Sequence, residues 1–141
     1  MLTDPYLTVY EDWNSWGYFS LSFRVTSAEG KVFFLRKYQL DWTRNSPTTH
    51  TIAPGEKYLL KVDFQPKVWP GIITMKGTKT DFQLKAVFNE PSPEKLKIPM
   101  NPDVWAGHVV SSPLLVHIRF PRKLTNPYPG TDLEDFTKIA E

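Results

Sequence analysis

The chain has 141 residues, of which 40% are hydrophobic and 23% charged, with a net charge of +2 and no cysteine. That length suits one domain burying about two-thirds of the surface its unfolded form exposes; the absence of cysteine excludes disulfides, thiolate metal sites and a cysteine nucleophile, and lysines and arginines scattered without a basic run argue against a nucleic-acid partner. No stretch is apolar and long enough to span a bilayer as a helix, and the N-terminal MLTDPYLTVYED has neither the basic nor the apolar region of a signal peptide, so none is expected in this chain.

Thirteen prolines and five tryptophans, with few helix-length segments free of breakers, favour an all-β fold with many turns. Residues 7–10 read as a short strand after Pro5, and DWNSWG at 12–17 as a turn rich in residues that bond their own backbone. From 18 to 26, Phe19, Leu21, Phe23 and Val25 alternate with Ser20, Ser22 and Arg24, the two-residue period of a half-buried strand. A tight turn at 27–30 leads into residues 31–42, read as a long central strand broken near Lys37. Residues 43–48 form a loop, 50–53 a short edge strand, and APGE at 53–56 a turn with Pro54 and Gly55 in type II positions.

Residues 56–64 alternate again, with Tyr58, Leu60, Val62 and Phe64 inward. A long connection at 65–79 carries Trp69 and Pro70, with 72–75 read as a short strand inside it. Residues 81–88 place Phe82, Leu84, Ala86 and Phe88 on one face. NEPSPEKLKIPMNPD at 89–103 holds four prolines and reads as a structured loop. The closing strand, VWAGHVVSSPLLVHIRFP at 104–121, falls into two pieces divided at Ser111-Ser112-Pro113, because proline cannot donate to a ladder. In the second piece Leu114, Val116, Ile118 and Phe120 point one way. NPYPG at 126–130 reads as a linker, and TDLE at 131–134 as a capping box with Thr131 at N-cap and Glu134 at N3, opening a helix that carries Leu133, Phe136 and Ile139. The organisation expected is therefore a β-domain over 1–124, then a linker and short helix over 125–141, the helix either packing on the sandwich or starting a further region.

Three pieces, APGE before YLLKVDF, the strand DFQLKAVF, and VWAGHVVSSPLLVHI, resemble in order the second half of immunoglobulin-like domains of bacterial envelope and secreted proteins. The resemblance covers about residues 50–120. It implies an antiparallel immunoglobulin-like β-sandwich of about seven or eight strands with a short C-terminal helix, and an extracytoplasmic location. The cysteine pair and tyrosine corner of antibody domains are missing, with Phe82 near the place of that tyrosine, so an antibody-like role is not implied. A fold of this kind hosts many activities and names none.

Catalytic chemistry is sparse. His50, His108 and His117 have no metal-ligand spacing, Ser111-Ser112-Pro113 is not a nucleophile elbow, and no glycine-rich phosphate loop is present. No catalytic residue, metal or cofactor is expected. Recognition is the better prospect. If the strands simply reverse, the connections at 12–17, 43–48 and 65–79 share one end, gathering Trp13, Trp16 and Trp69 there, with Trp42 arriving at the end of its strand. Two readings stand: the tryptophans cap the open end of the core, or they form a platform for a sugar ring or a protein. A second candidate binding element is the proline-rich loop at the other end, with Glu94, Leu96, Ile98 and Met100. Its prolines lower the entropy lost on binding. The function expected is a non-catalytic spacer or protein-interaction module whose partner is a protein or an adjacent domain. The alternative is a carbohydrate-binding module using the tryptophan-rich end.

Overall fold

The structure, a computed structural model, describes residues 5–39, 41–42, 44–77, 81–91 and 103–137. Among these residues seven strands form two antiparallel sheets, so the fold is all-β. The small sheet pairs β1 (Leu7–Tyr10) with β4 (Thr49–Ile52), Leu7 opposite Ile52. The large sheet contains β2 (Leu21–Ser27), β3 (Val32–Leu35), β5 (Asp81–Glu90), β6 (Gly107–Val110) and β7 (Leu114–His117). Its order is β3-β2-β5, and β6 and β7 lie one after the other along the far side of β5. The turn between β2 and β3 closes with the Gly30 amide donating to the Ser27 carbonyl at 2.9 Å.

One face of the large sheet builds the core. Phe23 and Val25 of β2, Phe33 and Leu35 of β3, and Phe82 of β5 are buried there with Trp69, Ile72 and Met75. The alternation read in β2 and β5 is the cause: neighbouring strands in register put every second side chain on the same face. Phe19, assigned to the same inward set, is 47% exposed, because the chain is still in the turns of residues 12–20 and β2 begins only at Leu21.

Several expected elements differ. Residues 56–64 form no ladder, although Tyr58, Leu60, Val62 and Phe64 are half-buried and the intervening residues exposed. The period reflects an extended segment laid on the core, with Val62 and Phe64 against it, rather than strand pairing. The strand expected over 31–42 is limited to β3. Residues 72–75 belong to a 3-10 helix, Pro70–Met75, with proline in its first turn, where a missing N–H costs nothing. Among the described residues the C-terminal helix is a 3-10 turn, Leu133–Phe136, with Asp132 rather than Thr131 as N-cap; Ile139 lies outside them. The Asp132 carboxylate accepts from the Glu134 amide at 3.0 Å. Residues 126–137, expected as linker and helix, lie against the body. The Tyr38 and Tyr128 rings stack at 3.7 Å, and the Tyr128 hydroxyl donates to the Lys67 carbonyl at 2.5 Å.

The break in the closing strand is a bulge. Val87 faces Val110 and Leu84 faces Leu114, so Lys85 and Ala86 stand opposite three residues, Ser111, Ser112 and Pro113. Ser111 bridges the gap, its amide donating to the Ala86 carbonyl at 2.9 Å and its hydroxyl accepting from the Ala86 amide at 2.8 Å. An extra residue of this kind shifts the register by one. Val116, Ile118 and Phe120 pack on the core, but Leu114, beside the bulge, is 61% exposed rather than inward.

Candidate functional site

Residues 12–17 owe their shape to Asn14, which is fully buried. Its side-chain oxygen accepts from the amides of Trp16 and Gly17, both at 3.1 Å, and its nitrogen donates to the Thr48 carbonyl at 3.0 Å. Gly17 follows because a Cβ there would lie 2.3 Å from the Glu11 carbonyl oxygen. Asn45 adds a second tie between the two loops, its side-chain oxygen accepting from the Ser15 amide at 2.9 Å. Glu11 fixes the exposed tryptophan: one carboxylate oxygen accepts from the Trp13 indole N–H and from the Thr48 hydroxyl, each at 2.6 Å. Those two bonds, Thr48 first and then Trp13, hold the Glu11 carboxyl below its ordinary range.

The tryptophans are only partly brought together. Trp13 and Trp69 line one pocket of about 270 Å³ with Asp12, Tyr18, Lys37 and Val62. Trp13 is 47% exposed, whereas Trp69 is buried edge-on against Phe23 and forms part of the core. Trp42 touches the same pocket indirectly, edge-on to Tyr18 at 5.3 Å. Trp16 lies against Tyr10, and its indole N–H is buried without a hydrogen-bond partner. Capping thus describes Trp69, while Trp13 has the exposure a platform needs.

The pocket also holds a cation that periodicity could not reveal. The Lys37 ammonium lies 4.5 Å from the Tyr18 ring and 5.7 Å from that of Trp69, a cation–π arrangement. Burial pushes its pKa down, and Asp12 opposes that shift. The signal in the sequence is a lone lysine in an aromatic stretch, and its partners lie 19 residues before it and 32 after.

The second candidate set, Glu94, Leu96, Ile98 and Met100, lies outside the described residues. Among the described residues no three His, Asp or Glu side chains gather in a way that could hold a metal ion. No helix among them is long and apolar enough to cross a membrane.

A further surface is the β6–β7 edge of the large sheet, which pairs with no other strand among the described residues. The Ser111–Ala86 bond sets the phase of the ladder, and the same phase turns the backbone groups of His108 and Val110 away from β5. Beyond the bulge it does so for Leu115 and His117. Val109, Val110, Leu114 and Leu115 are 53%, 46%, 61% and 79% exposed along this edge. At the opposite edge the outward amide of Phe34 is paired, donating to the Thr137 carbonyl.

No family model matches the chain, and no match to it is found among curated proteins or solved structures.

Proposed function

We propose that this chain is a non-catalytic, immunoglobulin-like sandwich module of a larger bacterial envelope or secreted protein, and that it engages a protein partner along the β6–β7 edge. The observation that carries the reading is the asymmetry of the two sheet edges. An open edge offers unpaired backbone groups to another chain, and folded proteins commonly blunt such edges with charges, proline or a covering segment. Here the tail pairs with one edge at Phe34, while among the described residues the other presents four large aliphatic side chains interrupted by Pro113 and a bulge. Strand addition of this type draws affinity from the main chain and selectivity from alternate side chains.

The test removes single outward amides. Val110→Pro and Leu115→Pro each delete an N–H that points away from β5, leaving the β5 ladder intact. Immobilised wild-type chain should capture from an extract of its source cells a protein that both variants lose while melting as the parent does. Capture that survives both substitutions rejects the edge as the docking surface.

A second reading, a carbohydrate-binding module, draws support from Trp13, an exposed indole beside a pocket that carries Asp12 and Lys37. Aromatic rings with polar groups at their margin suit sugar rings. Retention on cellulose, chitin, xylan or peptidoglycan that disappears in Trp13→Ala favours it; a chain that binds none of these removes it.

A further inference from the structure

No described element packs on the side of the large sheet that faces away from the core. Parity places Arg24 of β2, Phe34 of β3, Lys85 and Val87 of β5 and Val110 of β6 on it. A depression of about 600 Å³ runs across this face, with Phe19, Phe34, Val87 and Val110 as its apolar lining. Its ionisable lining is Arg24, Arg36 and His108, and no carboxylate contributes.

Arg24 and Lys85 are directly opposite in the β2–β5 register and point to this same face. Like charges so placed destabilise a sheet. Arg24 leans over the Phe34 ring at 5.8 Å, which positions its cation above the apolar floor. Arg36 is anchored at the margin, donating to the Asp135 carbonyl. Asp81, on this face at the other end of β5, is taken up by His117 at 2.9 Å. Arg24 therefore lines the depression with no carboxylate beside it among the described residues, and Lys85 stands next to it on the same face.

We infer that this outer face receives an acidic, apolar segment of a protein partner, its carboxylates over Arg24 and Lys85 and its aliphatic side chains on Phe34, Val87 and Val110. The inference rests on the reading of the chain as a protein-binding module and adds the chemistry of the partner. Complementary charge selects partners and speeds encounter more than it adds raw affinity. A nucleic acid is the other polyanion with flat apolar groups, but it calls for a concentrated basic surface, and the net charge here is +2.

The experiment uses the full chain and fluorescein-labelled peptides in anisotropy titrations: one alternating Glu and Val, one alternating Lys and Val, and an oligothymidine strand. The acidic peptide should bind at least about tenfold more tightly than the basic one. The double variant Arg24→Glu, Lys85→Glu should reverse that order, a gain that an unfolded variant cannot produce. Equal binding of both peptides, no binding of either, an unchanged order in the double variant, or tighter binding of oligothymidine each overturns the inference. Leu115→Pro, at an edge position outside the depression, separates the two proposals. Loss of acidic-peptide binding only in Leu115→Pro leaves the edge standing and removes the basic face; loss only in the charge variant does the reverse.

Discussion

The backbone N–H of Phe34 donates to the carbonyl of Thr137 at 3.0 Å, so the tail pairs with an outward amide at one edge of the large sheet. Phe34 belongs to β3, whose residues alternate between bonding β2 and facing outward, and it is one of those that face outward. The carbonyl that meets it is delivered by the turn of residues 133–136, held in place by Arg36 donating to the Asp135 carbonyl and by Tyr38 beside the Phe136 ring at 5.2 Å. Edge protection and tail docking are thus one structural feature.

That feature predicts an effect at a distant glycine. Gly71 lies in the 3-10 helix of residues 70–75, and a Cβ there would come within 2.8 Å of the Thr137 methyl and 2.9 Å of the Phe136 carbonyl oxygen. Backbone cannot yield as a flexible side chain does. Gly71→Ala should lower stability by about 1–3 kcal/mol and speed amide exchange at Phe34. Urea unfolding and hydrogen exchange read the two effects, and an unaltered Phe34 amide would show that the tail is not held through this contact.

Asn14 makes a sharper case, because every polar atom of its side chain is used inside the protein. Asn14→Asp keeps the size but replaces a donor to the Thr48 carbonyl with an oxygen, setting acceptor against acceptor in a buried place. A loss of about 2–4 kcal/mol is expected. Asn14→Ala should lose a similar amount by freeing the amides of Trp16 and Gly17. Thermal melts suffice, and a variant within about 0.5 kcal/mol of the parent would contradict the role assigned to this side chain.

What the sequence made legible follows from where period and pairing coincide. In β2 and β5 each strand has neighbours on both sides and one buried face, so alternation and ladder report the same thing. At 56–64 they part: Tyr58, Leu60, Val62 and Phe64 face the body, yet no described strand pairs with them. Alternation records burial, and hydrogen-bond partners come from elsewhere in the chain. The division at Ser111-Ser112-Pro113 was readable because proline carries its own backbone constraint. The tail helix was readable as a turn signal, but its cap moved by one residue to Asp132, since both Thr131 and Asp132 can serve and the docked geometry selects between them.

The tryptophan site was legible to the same partial extent. Strand parity puts Trp13 and Trp69 at one end by counting residues 56–64 as a strand; both line one pocket, although those residues form no ladder. Their different burial was not readable from residue type. Nor was the contact of Lys37 with Tyr18 and Trp69, which depends on chain segments far apart in the sequence.

That difference in burial yields a direct comparison. Trp69→Ala empties a space in the core and should cost about 3–5 kcal/mol. Trp13→Ala removes an indole that is 47% exposed and bonded only to Glu11, and should cost less than about 1 kcal/mol. Urea unfolding of the two single variants checks this. Equal losses would mean that Trp13 is as much a structural cap as Trp69, which would end its candidacy as a platform.

Glu90 carries the clearest pH dependence. It closes β5 opposite Gly107, is 4% exposed, and accepts from the buried Ser20 hydroxyl at 2.7 Å. Burial raises its pKa above the ordinary 4.5, and the Ser20 bond only partly opposes this. A raised carboxyl holds its proton in the folded chain at pH values where the unfolded chain has lost it. The associated stability is therefore fully present below about pH 4.5 and is lost as pH rises through the folded value. Glu90→Gln keeps an acceptor for Ser20 and removes the charge, so it should match the parent near pH 4 and exceed it in stability at pH 7. Urea unfolding from pH 4 to pH 8 measures both curves. If the difference between them stays constant across that range, the carboxylate is not the group that senses pH here.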